Sequence, residues 1–135
     1  MDNLWNLLER NARNFSDALA VRYPAGRRNL SWLELRDEAL KLAAQLTSLG
    51  VSKGERIGII FPNCPEFIYA FYAVAYIGAV VVPINGRFTV PEINYILEDS
   101  GARVLLFSAD KRETAEIAAQ GTHVTVLLSD AAIRC

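Results

Sequence analysis

The chain has little of what most catalytic and binding centres are built from. Among 135 residues there are two cysteines and one histidine. Cys64 and Cys135 lack metal-ligand spacing, so neither a zinc site nor a disulfide framework is expected, and a reducing compartment suits them. His123 opens an expected terminal strand with no Ser or Cys at catalytic spacing, and a general base needs a partner within hydrogen-bond reach. Paired carboxylates are missing. Neither G-x-G-x-x-G nor G-x-x-x-x-G-K-[ST] occurs, and Gly121-Thr122 precedes a strand where a phosphate cradle would precede a helix. A formal charge of −1 gives no electrostatic argument for nucleic acid or an anionic membrane. The apolar run 67–77 is too short to span a bilayer, and Pro62, Asn63, Pro65 and Glu66 interrupt its extension. The first residues, Met-Asp-Asn-Leu-Trp, hold no apolar core of signal-peptide length. These absences predict a cytoplasmic scaffold with no catalytic, cofactor-binding or metal-binding residue of its own.

What is present is an ordinary globular balance, 52% hydrophobic and 21% charged residues. The length fits one domain or one piece of a larger one, able to bury about two thirds of its unfolded surface. The stretch 56–85 organises the rest. Its runs 57–61 and 80–84 lack the alternation of half-wet strands, which suits a parallel sheet covered on both faces. Between them Asn63 is placed to cap a helix with Glu66 reaching back, Pro65 falls in the first turn, and Gly78 supplies a left-handed stop. Positions 67–77 are apolar or aromatic throughout, the pattern of a helix buried all round. Burying one side chain such as Phe67 contributes roughly 1.5–3 kcal/mol.

Before this unit, Leu4, Leu8, Ala12 and Phe15, with Leu7 beside them, mark an amphipathic helix capped by Asp2 or Asn3. Residues 18–23 and 28–30 read as a small hairpin about Pro24-Ala25-Gly26, with Arg27 and Arg28 open to reading as a solvated tip. Ser31 and Glu34 form a capping box ahead of a stripe of Leu35, Ala39, Leu42, Leu46 and Leu49, with Asp37 and Lys41 paired outside. After the unit, Thr89 and Glu92 form another box, Ile93, Ile96 and Leu97 the buried face, and Gly101 the stop. A strand at 103–107, a helix at 110–119 capped by Asp110 with Glu113, and a strand at 123–128 complete a β-α-β-α-β-α-β order. That order predicts an α/β fold with a doubly wound, mostly parallel sheet of four strands flanked by helices. Helices are expected at 32–49, 64–77, 89–99 and 110–119.

Ligands of open parallel sheets bind outside the carboxyl ends of the strands. Asn85-Gly86-Arg87 follows the second strand, where the Arg87 fork suits a carboxylate or phosphate, the alternative being pairing with a neighbouring acid or with capping carbonyls. Cys64 sits near a helix N-terminus that would lower its pKa, but with nothing basic adjacent the plainer reading is a buried thiol. The aromatic group Phe67, Tyr69, Phe71, Tyr72 and Tyr76 reads as core.

Leu30-Ser31-Trp32-Leu33-Glu34-Leu35 resembles the first core motif of the adenylate-forming enzymes, Leu-Thr-Tyr-x-Glu-Leu. The stretch from Tyr76-Ile77-Gly78-Ala79 through Val80-Val81-Val82-Pro83-Ile84-Asn85 resembles the second, a Gly-Ala turn into a strand ending in Pro. Between them Leu49-Gly50-Val51, Lys53-Gly54-Glu55-Arg56 and Pro62-Asn63-Cys64-Pro65-Glu66 follow the family's order. Asn85-x-Arg87 and Glu92-Ile93-Asn94-Tyr95-Ile96-Leu97 resemble the acyl-CoA ligase branch more than the peptide synthetases. Ile77 departs from the small residue usual there. The resemblance covers nearly the whole chain and implies a partial N-terminal subdomain of the acyl-CoA synthetase fold, with 1–135 as a single partial domain.

For the parent enzyme the resemblance implies ligation of a carboxylic acid to CoA with ATP and Mg. The family's phosphate loop, adenine-binding aromatic segment, ribose-binding Asp and C-terminal lysine have no matching position here, so the chain alone is expected to bind no cofactor and to catalyse no turnover. The alternative is an interaction or regulatory module that pairs with a ligase half or with itself; a small Rossmann-like nucleotide binder is disfavoured by the absent glycine loop. The resemblance implies that a larger subdomain covers this sheet in the family, so the chain without it is expected to show an exposed apolar patch and an unpaired sheet edge.

Overall fold

The computed structural model describes residues 3–24 and 28–129. Helix α1 (Leu4–Asn14) starts where the Asn3 side chain accepts from the Asn6 N–H at 3.1 Å. Its inner face is Trp5, Leu8 and Ala12, whereas Leu4, Leu7 and Phe15 are exposed. Leu8 and Ala12 are buried as expected, but Trp5 stands inside in place of the expected Leu4 and meets the Tyr76 ring edge-on at 4.7 Å. Strands β1 (Leu19–Tyr23) and β2 (Arg28–Ser31) pair antiparallel as the small hairpin, and the expected turn at 25 and 26 lies outside the described residues. The chain runs straight from β2 into α2 (Trp32–Ser48), whose capping box is complete, Glu34 N–H to Ser31 Oγ at 3.1 Å and Ser31 N–H to Glu34 Oε1 at 3.0 Å. Leu35, Ala39, Leu42 and Leu46 are buried as the stripe predicts. Ala43 takes the place expected for Leu49, and Lys41 pairs with Glu38 at 3.3 Å instead of with Asp37.

The main sheet contains β3 (Arg56–Ile60), β4 (Val80–Pro83), β5 (Val104–Phe107) and β6 (Val126–Leu128), all parallel in the order β4-β3-β5-β6. Helix α3 (Pro65–Ile77) joins β3 to β4, α4 (Val90–Ser100) joins β4 to β5, and α5 (Arg112–Ala119) joins β5 to β6. Helices α1, α2 and α3 cover one face, over Ile57, Ile59, Val104 and Leu106; α4 and α5 cover the other, over Ile60, Leu105 and Phe107. This doubly wound α/β architecture agrees with the sequence pattern. Gly58, in the central strand, makes room for the second layer: a Cβ there would lie 3.0 Å from Leu105 and 3.2 Å from Leu97. The Thr89/Glu92 box and the left-handed Gly78 and Gly101 stops also form.

Three local expectations fail. Glu66 does not reach back to Asn63; α3 begins at Cys64 with no side-chain cap, and Glu66 is fully buried against Arg28. An ion pair with a distant arginine outcompetes a cap to one amide when the carboxylate has no water. Asp110 does not cap with Glu113; a 3-10 turn (Ala109–Lys111) precedes α5, and Asp110 accepts from the Ser108 hydroxyl at 2.6 Å. Helix α3 is not buried all round, since Ile68 and Tyr76 are exposed, although its one charged residue, Glu66, is inside. Strand β4 lies at the sheet edge with Val80 48% exposed. Among the described residues no helix is long and apolar enough to cross a membrane.

Candidate functional site

Because α3 and α5 leave β3 and β5 toward opposite faces, the carboxyl ends of these neighbouring strands part and a crevice opens between the loops that follow them. It has a volume of about 690 Å³ and is lined by Phe61, Pro62 and Asn63 after β3, by Asn85, Gly86 and Arg87 after β4, and by Asp110 and Lys111 after β5. The Asn85 side chain shapes the middle loop, its Oδ1 accepting from the Arg87 N–H at 2.9 Å while its carbonyl accepts from the Phe88 N–H at 3.1 Å. Lys111 fastens the third loop to the second, Nζ donating to the Gly86 carbonyl at 2.9 Å. Ser108, fully buried, donates to the Asp110 carboxylate.

Arg87, singled out from sequence, stands in this crevice exposed, with no partner among the described residues. Its fork and the two remaining N–H groups of Lys111 equip the crevice to hold an oxyanion. Lys111 escaped the sequence reading, though the rule that pointed to the loop after β4 applies equally to the loop after β5. No nucleophile and base come together here. Cys64 is buried but disulfide-bonded, which corrects the expectation of a plain thiol; Cys135 lies outside the described residues. His123 is exposed at the opposite end of the sheet, far from any such chemistry. For Mg and a nucleotide the donors do not fit: among the described residues no three His, Cys, Asp or Glu side chains cluster as a metal site, and Asp110 is the one carboxylate lining the crevice.

The amino end of the sheet is built differently. Arg56 Nε donates to the Ser100 carbonyl at the end of α4 at 2.7 Å, and Arg103 Nη1 donates to the Gly50 carbonyl beyond α2 at 3.0 Å and to Glu55 Oε1 at 2.7 Å. Burial alone would raise the Glu55 carboxyl, but the Arg103 hydrogen bond and the Ser52 amide outweigh it and hold the carboxyl below its ordinary value.

Arg28, open to reading as a solvated tip, is half-buried and paired with Glu66, 38 residues away. Burial opposes its charge, yet the Glu66 carboxylate, with the Tyr69 side chain beside it, leaves its pKa raised. Burial and the nearby Glu66 push the Tyr69 phenol well above its usual range. No periodicity joins residues so far apart, so nothing in the sequence marks this cluster.

Residues 8–134 match the family of AMP-binding enzymes. The long-chain-fatty-acid–CoA ligase FadD13 of Mycobacterium tuberculosis (strain ATCC 25618 / H37Rv) is 41% identical over 80 residues, covering 59% of this chain and 16% of that protein. Feruloyl-CoA synthase of an Amycolatopsis species is 38% identical over 117 residues, covering 87% of this chain and 23% of that protein. The inhibitor-bound crystal structure of the N-terminal domain of FACL13 from Mycobacterium tuberculosis superposes with a TM-score of 0.91 at 32% identity, over 98% of this chain and 34% of that one. The alignments thus span less than a quarter of either curated relative. With the ordered motifs and the doubly wound sheet now matched by family, sequence and fold, the chain belongs to the AMP-binding enzymes and is similar to the N-terminal region of their acyl-CoA ligases.

Proposed function

We propose that residues 1–135 are a single partial domain of a cytoplasmic, ATP-dependent carboxylic acid–CoA ligase, and that this part alone is a scaffold without turnover. The observation that carries the reading is the family match over 8–134 with relatives named as CoA ligases. In the parent, the acid carboxylate attacks ATP to give acyl-adenylate and pyrophosphate, and the CoA thiolate then displaces AMP. Charge developing on phosphate in the first step needs preorganised donors. Arg87 and Lys111 line a crevice suited to one oxyanion, but the sequence holds no phosphate-cradling glycine loop. The relatives act, by name, on acids as different as long-chain fatty acids and ferulate, so fatty acid metabolism is one setting and the acid is not chosen by kinship.

A second reading, a module that pairs with a ligase half or with itself, is supported by α3. Its only charge is buried, Ile68 and Tyr76 face outward, and Val80 lies exposed on the adjoining edge strand. Two measurements test the first reading. The purified chain should exchange pyrophosphate into ATP no faster than a blank with fatty and aromatic acids; exchange above the blank overturns the claim of inactivity. Joined to the remaining part of feruloyl-CoA synthase, it should regain exchange, and a folded but inert chimera overturns the ligase assignment in favour of the module.

A further inference from the structure

We infer that Arg28 and Glu66 form a latch between the β1–β2 hairpin and the N-terminus of α3, and that this latch positions the crevice wall at Asn63 and Phe67. Glu66 is fully buried, and a carboxylate without water remains ionised only where a cation and hydrogen bonds compensate it. Arg28, on β2, supplies that cation and reaches Tyr69 one helical turn further along. Packing shares this work, since Val21 and Leu30 of the hairpin are buried in the same core as Tyr69 and Ala70 of α3. That contact is incomplete toward the crevice, where a recess of about 340 Å³ is lined by Val21, Arg22 and Tyr23 of β1 and by Asn63, Cys64, Pro65, Phe67 and Ile68, and the ion pair links the same two elements. Hydrogen bonds at the far end of the hairpin join Trp32 N–H to the Ala18 carbonyl and Leu33 N–H to the Ser16 carbonyl, both at 3.1 Å. Asn63 and Phe67 border both the recess and the crevice, and Glu66 is the residue before Phe67. A shift of the latch therefore reaches the crevice through a single peptide unit. Arg28 and Glu66 are positioning residues: neither lines the crevice. The inference stands apart from the ligase reading, since it concerns how this wall is held whatever binds against it.

Native-state hydrogen exchange and amide NMR on the whole chain test it. Arg28→Gln should raise exchange at least about tenfold in 19–23, 28–31 and 64–69, leaving β5 and α4 unchanged, as local opening does. The amide signals of Asn63 and Phe67 should move while those of Asp110 and Lys111 stay in place. Arg28→Lys, which keeps the cation, should restore most of the protection. Where Arg28→Gln does not fold, Arg28→Gln/Glu66→Gln removes the buried charge and is read in the same way. An equal rise through β5 and α4 would reduce the pair to general stability and overturn the latch. So would unchanged exchange, or an Arg28→Lys variant as loose as Arg28→Gln.

Discussion

The two ends of the main sheet carry similar side chains and use them in opposite ways. At the amino end, Arg56 is tied to the last carbonyl of α4, and Arg103 to the Gly50 carbonyl just beyond α2 and to Glu55. Arg56 there completes the end of α4, whose last carbonyl would otherwise lack this donor, and Arg103 fastens the turn that follows α2. At the carboxyl end, Lys111 holds one carbonyl and keeps N–H groups to spare, and Arg87 holds nothing among the described residues. The same residue types therefore divide into fasteners and an open receptor according to which end of the strands they occupy. Charge alone does not reveal a site; uncommitted charge beside a crevice does.

Substitutions that unfasten one end and leave the other untouched would break or sharpen that contrast. The largest effect is expected for Arg103→Met, which strips Glu55 and the Gly50 carbonyl of their donor; with both groups partly open to water the loss is about 1–2 kcal/mol in urea unfolding. Glu55 adds a pH signature. A carboxylate whose folded pKa is depressed contributes stability above its unfolded pKa and loses it as pH falls through the folded one. Wild-type stability should therefore decline below about pH 4.5, and Arg103→Met should flatten that decline. An unchanged acid limb would show that Arg103 is no fastener.

Gly101→Ala comes next. Gly101 has φ +67°, a conformation unfavourable to a side chain, and a Cβ would lie 2.6 Å from Arg56 Nη2. Because the arginine tip can swing aside, the backbone strain dominates, and about 1 kcal/mol should be lost in thermal or urea unfolding. Arg87→Ala should cost least, within about 0.5 kcal/mol, because an exposed side chain without partners supports nothing. Titration with inorganic pyrophosphate, followed by NMR shifts at 85–87, should nevertheless weaken severalfold. A large stability loss, or undiminished binding, would place Arg87 among the fasteners or outside the site.

What the sequence disclosed follows the reach of each interaction. The boxes Ser31/Glu34 and Thr89/Glu92 were legible because cap and partner are three residues apart on a polar surface. Asn63 and Glu66 have the same spacing, yet there a partner on another element won the carboxylate, and no local pattern encodes that choice. The apolar run at β3 revealed a strand covered on both faces; the similar run at β4 did not, because at the sheet edge its residues stay half-buried or exposed, although all four strands are parallel. Trp5, on the inner face of α1, meets Tyr76 of another helix, a contact that no local pattern announces. The loop holding Arg87 was found by its place after a strand, whereas its lack of a partner is visible only in three dimensions.

The uniform direction of the strands also governs how the molecule comes into being. Arg56 must meet Val80, Ile57 must meet Val104, and Val104 must meet Val126, so no pair in the main sheet can zip up from a tight turn. Each junction waits for a long loop to close before any of its contacts repays the lost chain entropy. Helices and the hairpin form from neighbours and so come early; among the described residues Val80, Val81 and Val82, at the rim, have only β3 to join. A nascent chain consequently spends its slowest moments with its most β-prone segment still searching for a partner, and those are the moments when another molecule can supply one.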